Sequence, residues 1–76
     1  MAKKNEHPVR ERVYKQIGLV GVSRKSFEAA IENAVQRAAE TLKDLRWFEV
    51  KEMRGAIQGN GVIEYQVVVS ISFEVH

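Results

Sequence analysis

Apolar side chains recur at helical spacing over residues 27–45 and predict one amphipathic helix. The stripe consists of Phe27, Ala30, Ile31, Ala34, Val35, Ala38, Leu42 and Leu45. Charged residues cover much of the other side, with acidic ones in the first half and basic ones later, which suits the helix dipole. Either Ser23 or Ser26 could begin the helix, because a hydroxyl accepts a hydrogen bond from the first free amides. The segment is predicted to be a core helix rather than a cofactor groove.

Three further segments have the pattern of strands. Residues 13–22 are rich in β-formers, although their mixed alternation leaves open which face is buried. A second strand is predicted over residues 46–57, and a third over residues 62–75 alternates almost without fault. Between them, the sequence Gln-Gly-Asn-Gly at 58–61 supplies the turn of a hairpin. The predicted fold is therefore α+β in the order β-α-β-β, a three-stranded antiparallel sheet with the single helix on one face.

The hairpin register follows if the turn is centred on residues 58–61. Phe48 then lies opposite Ile71, and the apolar residues of both strands meet on the helix side. Gln66 lies opposite Met53. The residues predicted to emerge together on the uncovered side are Trp47, Met53, Val68 and Gln66. A face that mixes apolar and polar groups in this way is expected to be a binding or assembly surface.

The length of the chain limits how stable a monomer can be. Seventy-six residues make one small domain, which buries only about 60% of its unfolded surface. Disulfides are excluded because there is no cysteine. A metal site is not predicted, since His7 and His76 have no recognisable ligand spacing. Oligomerisation is thus the expected route to stability.

The N-terminal residues differ in composition from the rest. Residues 1–11 are strongly polar and contain the only proline, and the first twelve residues hold much of the excess basic charge. They are predicted to form a disordered arm, which leaves residues 12–76 as the single domain. No signal peptide or membrane-spanning segment is apparent, and a cytoplasmic location is expected. A net charge of only +2 gives little support to nucleic-acid binding.

Catalytic constellations are scarce in the sequence. It has no phosphate-binding loop, and no histidine lies in a predicted element beside a plausible partner. Glu49 and Glu52 are expected on opposite faces of their strand, so they would make no acid/base pair. Ser70 and Ser72 are expected to be solvated strand residues. No catalytic residue is therefore predicted, and the protein is not expected to be an enzyme.

Three residues offer recognition chemistry instead. Trp47 can stack on a planar ring, Gln66 carries a donor and an acceptor on one amide, and Arg54 can pair with an anion. Each has an ordinary alternative. The tryptophan could be a subunit contact, the glutamine could face solvent, and the arginine could pair only with Glu52 or Glu64.

Several segments, in order and spacing, resemble those of the dodecins, which are small flavin-binding proteins that assemble as hollow shells of twelve subunits. The resemblance covers residues 13–73. The shared segments are Val13-Tyr14-Lys15, Leu19-Val20-Gly21, the Ala-rich helix, Leu45 to Val50, Glu52-Met53-Arg54-Gly55 and Glu64-Tyr65-Gln66-Val67. The resemblance implies a hollow homo-dodecamer that stores or buffers riboflavin or FMN without catalysis.

The resemblance also implies roles for particular residues. Trp47 matches the tryptophan that stacks on the isoalloxazine ring, with two flavins between a symmetry-related pair of tryptophans. Gln66 matches the glutamine that hydrogen-bonds the pyrimidine edge of the flavin. Arg54 matches an arginine of the bacterial branch of the family, and Val68 is carried over as an apolar wall.

The spacing of these residues adds a constraint. In the predicted register Gln66 lies six residues along the strand from Trp47, which is about 20 Å and too far for both to contact one ring. Each site is therefore predicted to combine Trp47 of one subunit with Gln66 of another. Two other functions stay open: an oligomeric carrier of another nucleotide-like ligand such as coenzyme A, and a nucleic-acid-binding sheet with Trp47 as a base platform.

Overall fold

The computed structural model describes residues 11–76, and the structural statements that follow concern these residues. Most of the predicted arm, residues 1–10, lies outside them. The described chain forms β1 (Val13–Ser23), α1 (Phe27–Thr41), β2 (Leu45–Ile57) and β3 (Ile63–Val75). The strands pair antiparallel in the order β1-β3-β2, so that β3 is the central strand. The predicted β-α-β-β fold is confirmed.

The helix packs on the sheet through its smallest side chains. Ala30, Ala34 and Ala38 are buried against β3, whose buried residues on that face are Val67, Val69 and Ile71. Gly21 of β1 lies directly under the helix, and a Cβ at this position would be 3.0 Å from the Cβ of Ala34 and would overlap the carbonyl oxygen of Ala30. The alanines and the glycine together let the helix backbone approach the sheet closely.

The ends of the helix differ in part from the sequence pattern. Ser26 is the N-cap, and its hydroxyl accepts a 3.0 Å hydrogen bond from the amide of Ala29. The apolar stripe runs on to residue 45, but the helix ends at Thr41 with Leu42 as its C-cap. Asp44 then adopts a positive φ of 61° and turns the chain. Leu45 is consequently the first residue of β2 and contributes to the core from the sheet.

The predicted hairpin register is correct for one half of β2 and wrong for the other. Phe48 lies opposite Ile71, as expected. A β-bulge then adds Lys51 between the paired residues of β2, so that Gln66 lies opposite Arg54 and not Met53. A bulge inserts one residue in one strand only, and every later residue of that strand changes its partner and its face.

The bulge corrects two predictions about which side chains share a face. Met53 lies opposite Val67, on the helix side, and not on the uncovered side. Glu52 lies opposite Val68, on the uncovered side, where Glu49 also lies opposite Ser70. The two glutamates therefore share a face, contrary to the expectation from simple alternation.

The helix covers β1 and β3 and leaves most of β2 uncovered on both sides. On the helix side, Phe48 lines a shallow groove with Ile31 and Val35 and is 47% exposed. Met53 on the same side is 52% exposed. A strand with apolar side chains exposed on this scale is suited to burial against another molecule.

Candidate ligand-binding face

The uncovered face of the sheet is formed by alternate residues of all three strands. From β1 and β3 it contains Tyr14, Gln16, Val20 and Val22 beside Glu74, Ser72, Ser70, Val68, Gln66 and Glu64. From β2 it contains Trp47, Glu49, Glu52 and Arg54. All four site residues predicted from the sequence, Trp47, Arg54, Gln66 and Val68, lie on this face.

Trp47 lies at one end of the face and has an aromatic neighbour. The ring of Tyr14 on β1 meets the indole in a T-shaped arrangement, with centroids 4.8 Å apart and planes at 62°. Edge contacts of this kind stabilise a ring in one orientation. Trp47 remains 44% exposed, so a large part of the indole is open to a partner. The Trp47 indole is therefore held in orientation by Tyr14 and is still accessible to a ligand.

The backbone before Trp47 is also irregular. The pairing between β2 and β3 shifts between Leu45 and Trp47, which leaves Arg46 without a partner in the register. The Arg46 guanidinium forms a 2.8 Å ion pair with Glu74, whose side chain is only 8% exposed. This contact fixes the start of β2 against the end of β3 and so helps to set the position of the indole.

Ser72 lies between Trp47 and Gln16 in the register and is buried, with 0% exposure. The sequence predicted a solvated residue here, which is wrong. The side-chain amide of Gln16 donates a 3.0 Å hydrogen bond to its hydroxyl. A buried hydroxyl needs such a partner, and both register partners of Ser72, Gln16 and Trp47, have larger side chains on the same face.

The other end of the face contains a chain of polar contacts. Arg54 Nη1 forms a 3.0 Å ion pair with Glu52, and Arg54 Nε donates a 2.7 Å hydrogen bond to Gln66 Oε1. Gln66 Nε2 in turn donates a 2.9 Å hydrogen bond to Glu64 Oε1. The pairing of Arg54 with Glu52 is one of the ordinary alternatives, but its contact with Gln66 also joins it to a predicted site residue.

The structure brings three of the four predicted residues together and leaves the fourth apart. Val68 and Gln66 are alternate residues of β3, and Arg54 lies opposite Gln66. Trp47 lies opposite Ser72, six positions along β3 from Gln66, which is about 20 Å. The separation expected from the sequence is thus retained, because Trp47 lies before the bulge at Lys51, in the part of β2 whose register is as predicted.

Sequence reasoning missed two contacts of the predicted site residues. Tyr14 contacts the indole, and Glu64 binds the Gln66 amide. The irregular alternation of the first strand concealed the face on which Tyr14 lies. Glu64 precedes Gln66 by two residues, so the same-face spacing of a strand was the signal that could have identified it.

Metal and membrane features were also sought in residues 11–76. In this part of the chain no three His, Cys, Asp or Glu side chains lie together as a metal site within one subunit. The helix described there, α1, does not have the length and apolarity needed to cross a bilayer.

Comparison with known proteins identifies the family. The family model described as Dodecin matches residues 13–76. A dodecin from Thermus thermophilus is 55% identical over 62 residues, covering 82% of this chain and 90% of that protein. The calcium dodecin of Mycobacterium tuberculosis is 39% identical over 62 residues, covering 82% and 87%.

A solved structure gives the same result. The crystal structure of a mutant of the T. thermophilus dodecin superposes with a TM-score of 0.80 at 50% identity, covering 87% of this chain and 98% of that one. Together, the family match over residues 13–76, the identity of its relatives and the shared fold show that this chain belongs to the dodecin family.

Proposed function

We propose that the protein binds flavin without catalysis, storing riboflavin or FMN in a cytoplasmic homo-dodecamer and quenching its photochemistry. The observation that carries this proposal is the exposed indole of Trp47, which is braced at its side by Tyr14. A planar aromatic ligand could cover the open part of the indole and gain stacking energy. An easily oxidised indole in contact with an excited flavin would quench it by electron transfer.

The other proposed contacts come from the opposite end of the face. Gln66 would hydrogen-bond the pyrimidine edge of the flavin, and Val68 would form an apolar wall. Arg54 would lie near this edge and hold the Gln66 side chain by its hydrogen bond to Oε1. Because this end is about 20 Å from the indole, one subunit cannot supply the whole site. The proposed site therefore combines Trp47 of one subunit with Gln66 of another.

The exposed apolar residues of β2 support the proposed assembly. Phe48 and Met53 are about half exposed on the helix side, and Trp47 is exposed on the other. A chain of 76 residues has a small core, and burial of these side chains between subunits would add the stability that one subunit lacks. The assembly would thus create the site and stabilise the fold at once.

A fluorescence titration of riboflavin and of FMN with the apo-protein, run beside its native mass, tests the proposal. We expect strong quenching that saturates near one flavin per subunit in a large assembly. An intact assembly that leaves flavin fluorescence unchanged would contradict the proposed function. The two affinities would also identify the preferred flavin, and a parallel titration with coenzyme A would test the alternative carrier function.

Calcium is the main rival ligand, because one relative is named a calcium dodecin. Within residues 11–76 of a single subunit no cluster of three acidic or histidine side chains is present. A calcium site built from carboxylates of these described residues would need contributions from more than one subunit. Two calorimetric titrations distinguish these ligands. A flavin site predicts that flavin binds in the presence of a calcium chelator, and a calcium site predicts heat on titration with Ca²⁺.

Mixed assemblies test whether two subunits form each site. Trp47→Ala and Gln66→Ala subunits are unfolded together and refolded as one population. If each site takes Trp47 from one subunit and Gln66 from another, some mixed sites contain both residues and recover wild-type affinity. If one subunit supplied both, no mixed site would be complete, and the mixture would bind no better than the separate variants. Each variant refolded alone is the control.

A further inference from the structure

The side-chain amide of Gln66 is held from both sides. Arg54 Nε, which can only donate, contacts Oε1 at 2.7 Å. A carboxylate oxygen of Glu64, which can only accept, contacts Nε2 at 2.9 Å. Rotating the amide by half a turn would set a donor against Arg54 and an acceptor against Glu64. Both neighbours therefore select the same orientation.

The fixed orientation decides what Gln66 can offer to a ligand. An amide oxygen has two lone pairs and an amide nitrogen has two hydrogens. Arg54 uses one lone pair of Oε1, and Glu64 accepts one hydrogen of Nε2. One acceptor site and one donor remain, side by side and in a set order. They match a ring edge on which an N–H stands beside a carbonyl, and they set which way round that edge lies.

We infer that Glu64 is a positioning residue for ligand recognition, which holds the Gln66 amide from one side while Arg54 holds it from the other. Glu64 itself need not touch the ligand. By ordering the amide before binding, it removes a cost that the ligand would otherwise meet. This inference rests on the proposed function, since it assumes that the ligand edge is the imide edge of a flavin.

Selectivity between two flavins measures this role. Riboflavin carries the imide N–H, and its N3-methyl derivative lacks that hydrogen but keeps the ring that stacks. In the wild-type assembly we expect riboflavin to bind more tightly than the derivative. In Glu64→Ala we expect the ratio of the two affinities to fall about three- to tenfold, the size of one hydrogen bond. Glu64→Gln should restore part of the ratio, because its amide oxygen can still accept from Gln66.

Two controls separate this role from a general structural one. Glu40→Ala removes a carboxylate that pairs with Arg37 on the helix surface and should leave the ratio unchanged. Gln66→Ala should reduce the ratio to near one. The role of Glu64 would be disproved if Glu64→Ala left the ratio of the two affinities at its wild-type value while Gln66→Ala reduced that ratio to near one. Flavin binding itself would stand in that case.

A ligand-free measurement keeps the two proposals distinct. In protein labelled with ¹⁵N at glutamine, the Gln66 carboxamide should show one proton shifted downfield by the Glu64 carboxylate, and Gln66→Ala assigns the signal. The shift should disappear in Glu64→Ala. An unchanged spectrum would overturn the positioning of the amide whatever the ligand. A wild-type assembly that binds neither flavin would instead overturn the proposed function, and the spectrum would still decide whether Glu64 holds the amide.

Discussion

Replacing Trp47 with alanine is expected to weaken flavin binding by about 1–3 kcal/mol, taking the stacking of a base on an aromatic side chain as the analogue. The substitution removes the exposed ring and leaves the rest of the face in place. The quenching of bound flavin should be lost as well, because the electron donor is gone. A titration followed by flavin fluorescence measures both effects. Unchanged affinity and quenching in Trp47→Ala would disprove the stacking site.

Two variants make this test specific. Trp47→Phe keeps a ring that can stack but is harder to oxidise, so we expect it to retain more affinity than Trp47→Ala while quenching less than the wild type. Tyr14→Phe keeps the ring that contacts the indole and removes only the hydroxyl. It should bind flavin much as the wild type does. Native mass and circular dichroism of each variant would show that differences in binding do not come from a lost assembly.

Replacing Gly21 with alanine is expected to lower the free energy of unfolding by about 3 kcal/mol, at the upper end of ordinary overpacking. The added Cβ would overlap the carbonyl oxygen of Ala30 and lie 3.0 Å from the Cβ of Ala34. The first of these atoms belongs to the helix backbone and cannot rotate away as a side chain could. The whole helix would have to move from the sheet, and it would lose contacts along its buried alanines.

Gly18→Ala is the matched control for this substitution. Gly18 lies three residues earlier on the same strand, and a Cβ there would have no atom within 4 Å. It should be near neutral or slightly stabilising, because alanine restricts the unfolded chain more than glycine. Chemical unfolding at one subunit concentration, which an oligomer requires, compares the two. Equal midpoints for Gly21→Ala and the wild type would contradict the close approach of helix and strand.

The sequence alone predicted the elements, their order and one face of the hairpin. The helical stripe over residues 27–45 and the regular alternation of β3 are local patterns, and they are imposed by the requirement to bury one face. Simple alternation, with the predicted register, also places three of the four candidate residues on one face: Trp47, Gln66 and Val68. It does not place Arg54 there, because simple alternation along β2 would put residues 47 and 54 on opposite faces.

The tertiary structure decided what alternation could not. The bulge at Lys51 moves Arg54 to the face of Gln66 and Met53 away from it, and no local pattern announces a bulge, since its stability depends on pairing with another strand. In the same way Ser72 is buried where it lies between Gln16 of β1 and Trp47 of β2, an arrangement that the pattern of β3 alone does not contain. The identities and spacing of residues thus determined the elements and the family of this protein. Contacts between distant strands determined the register, the burial of polar groups and the orientation of the Gln66 amide.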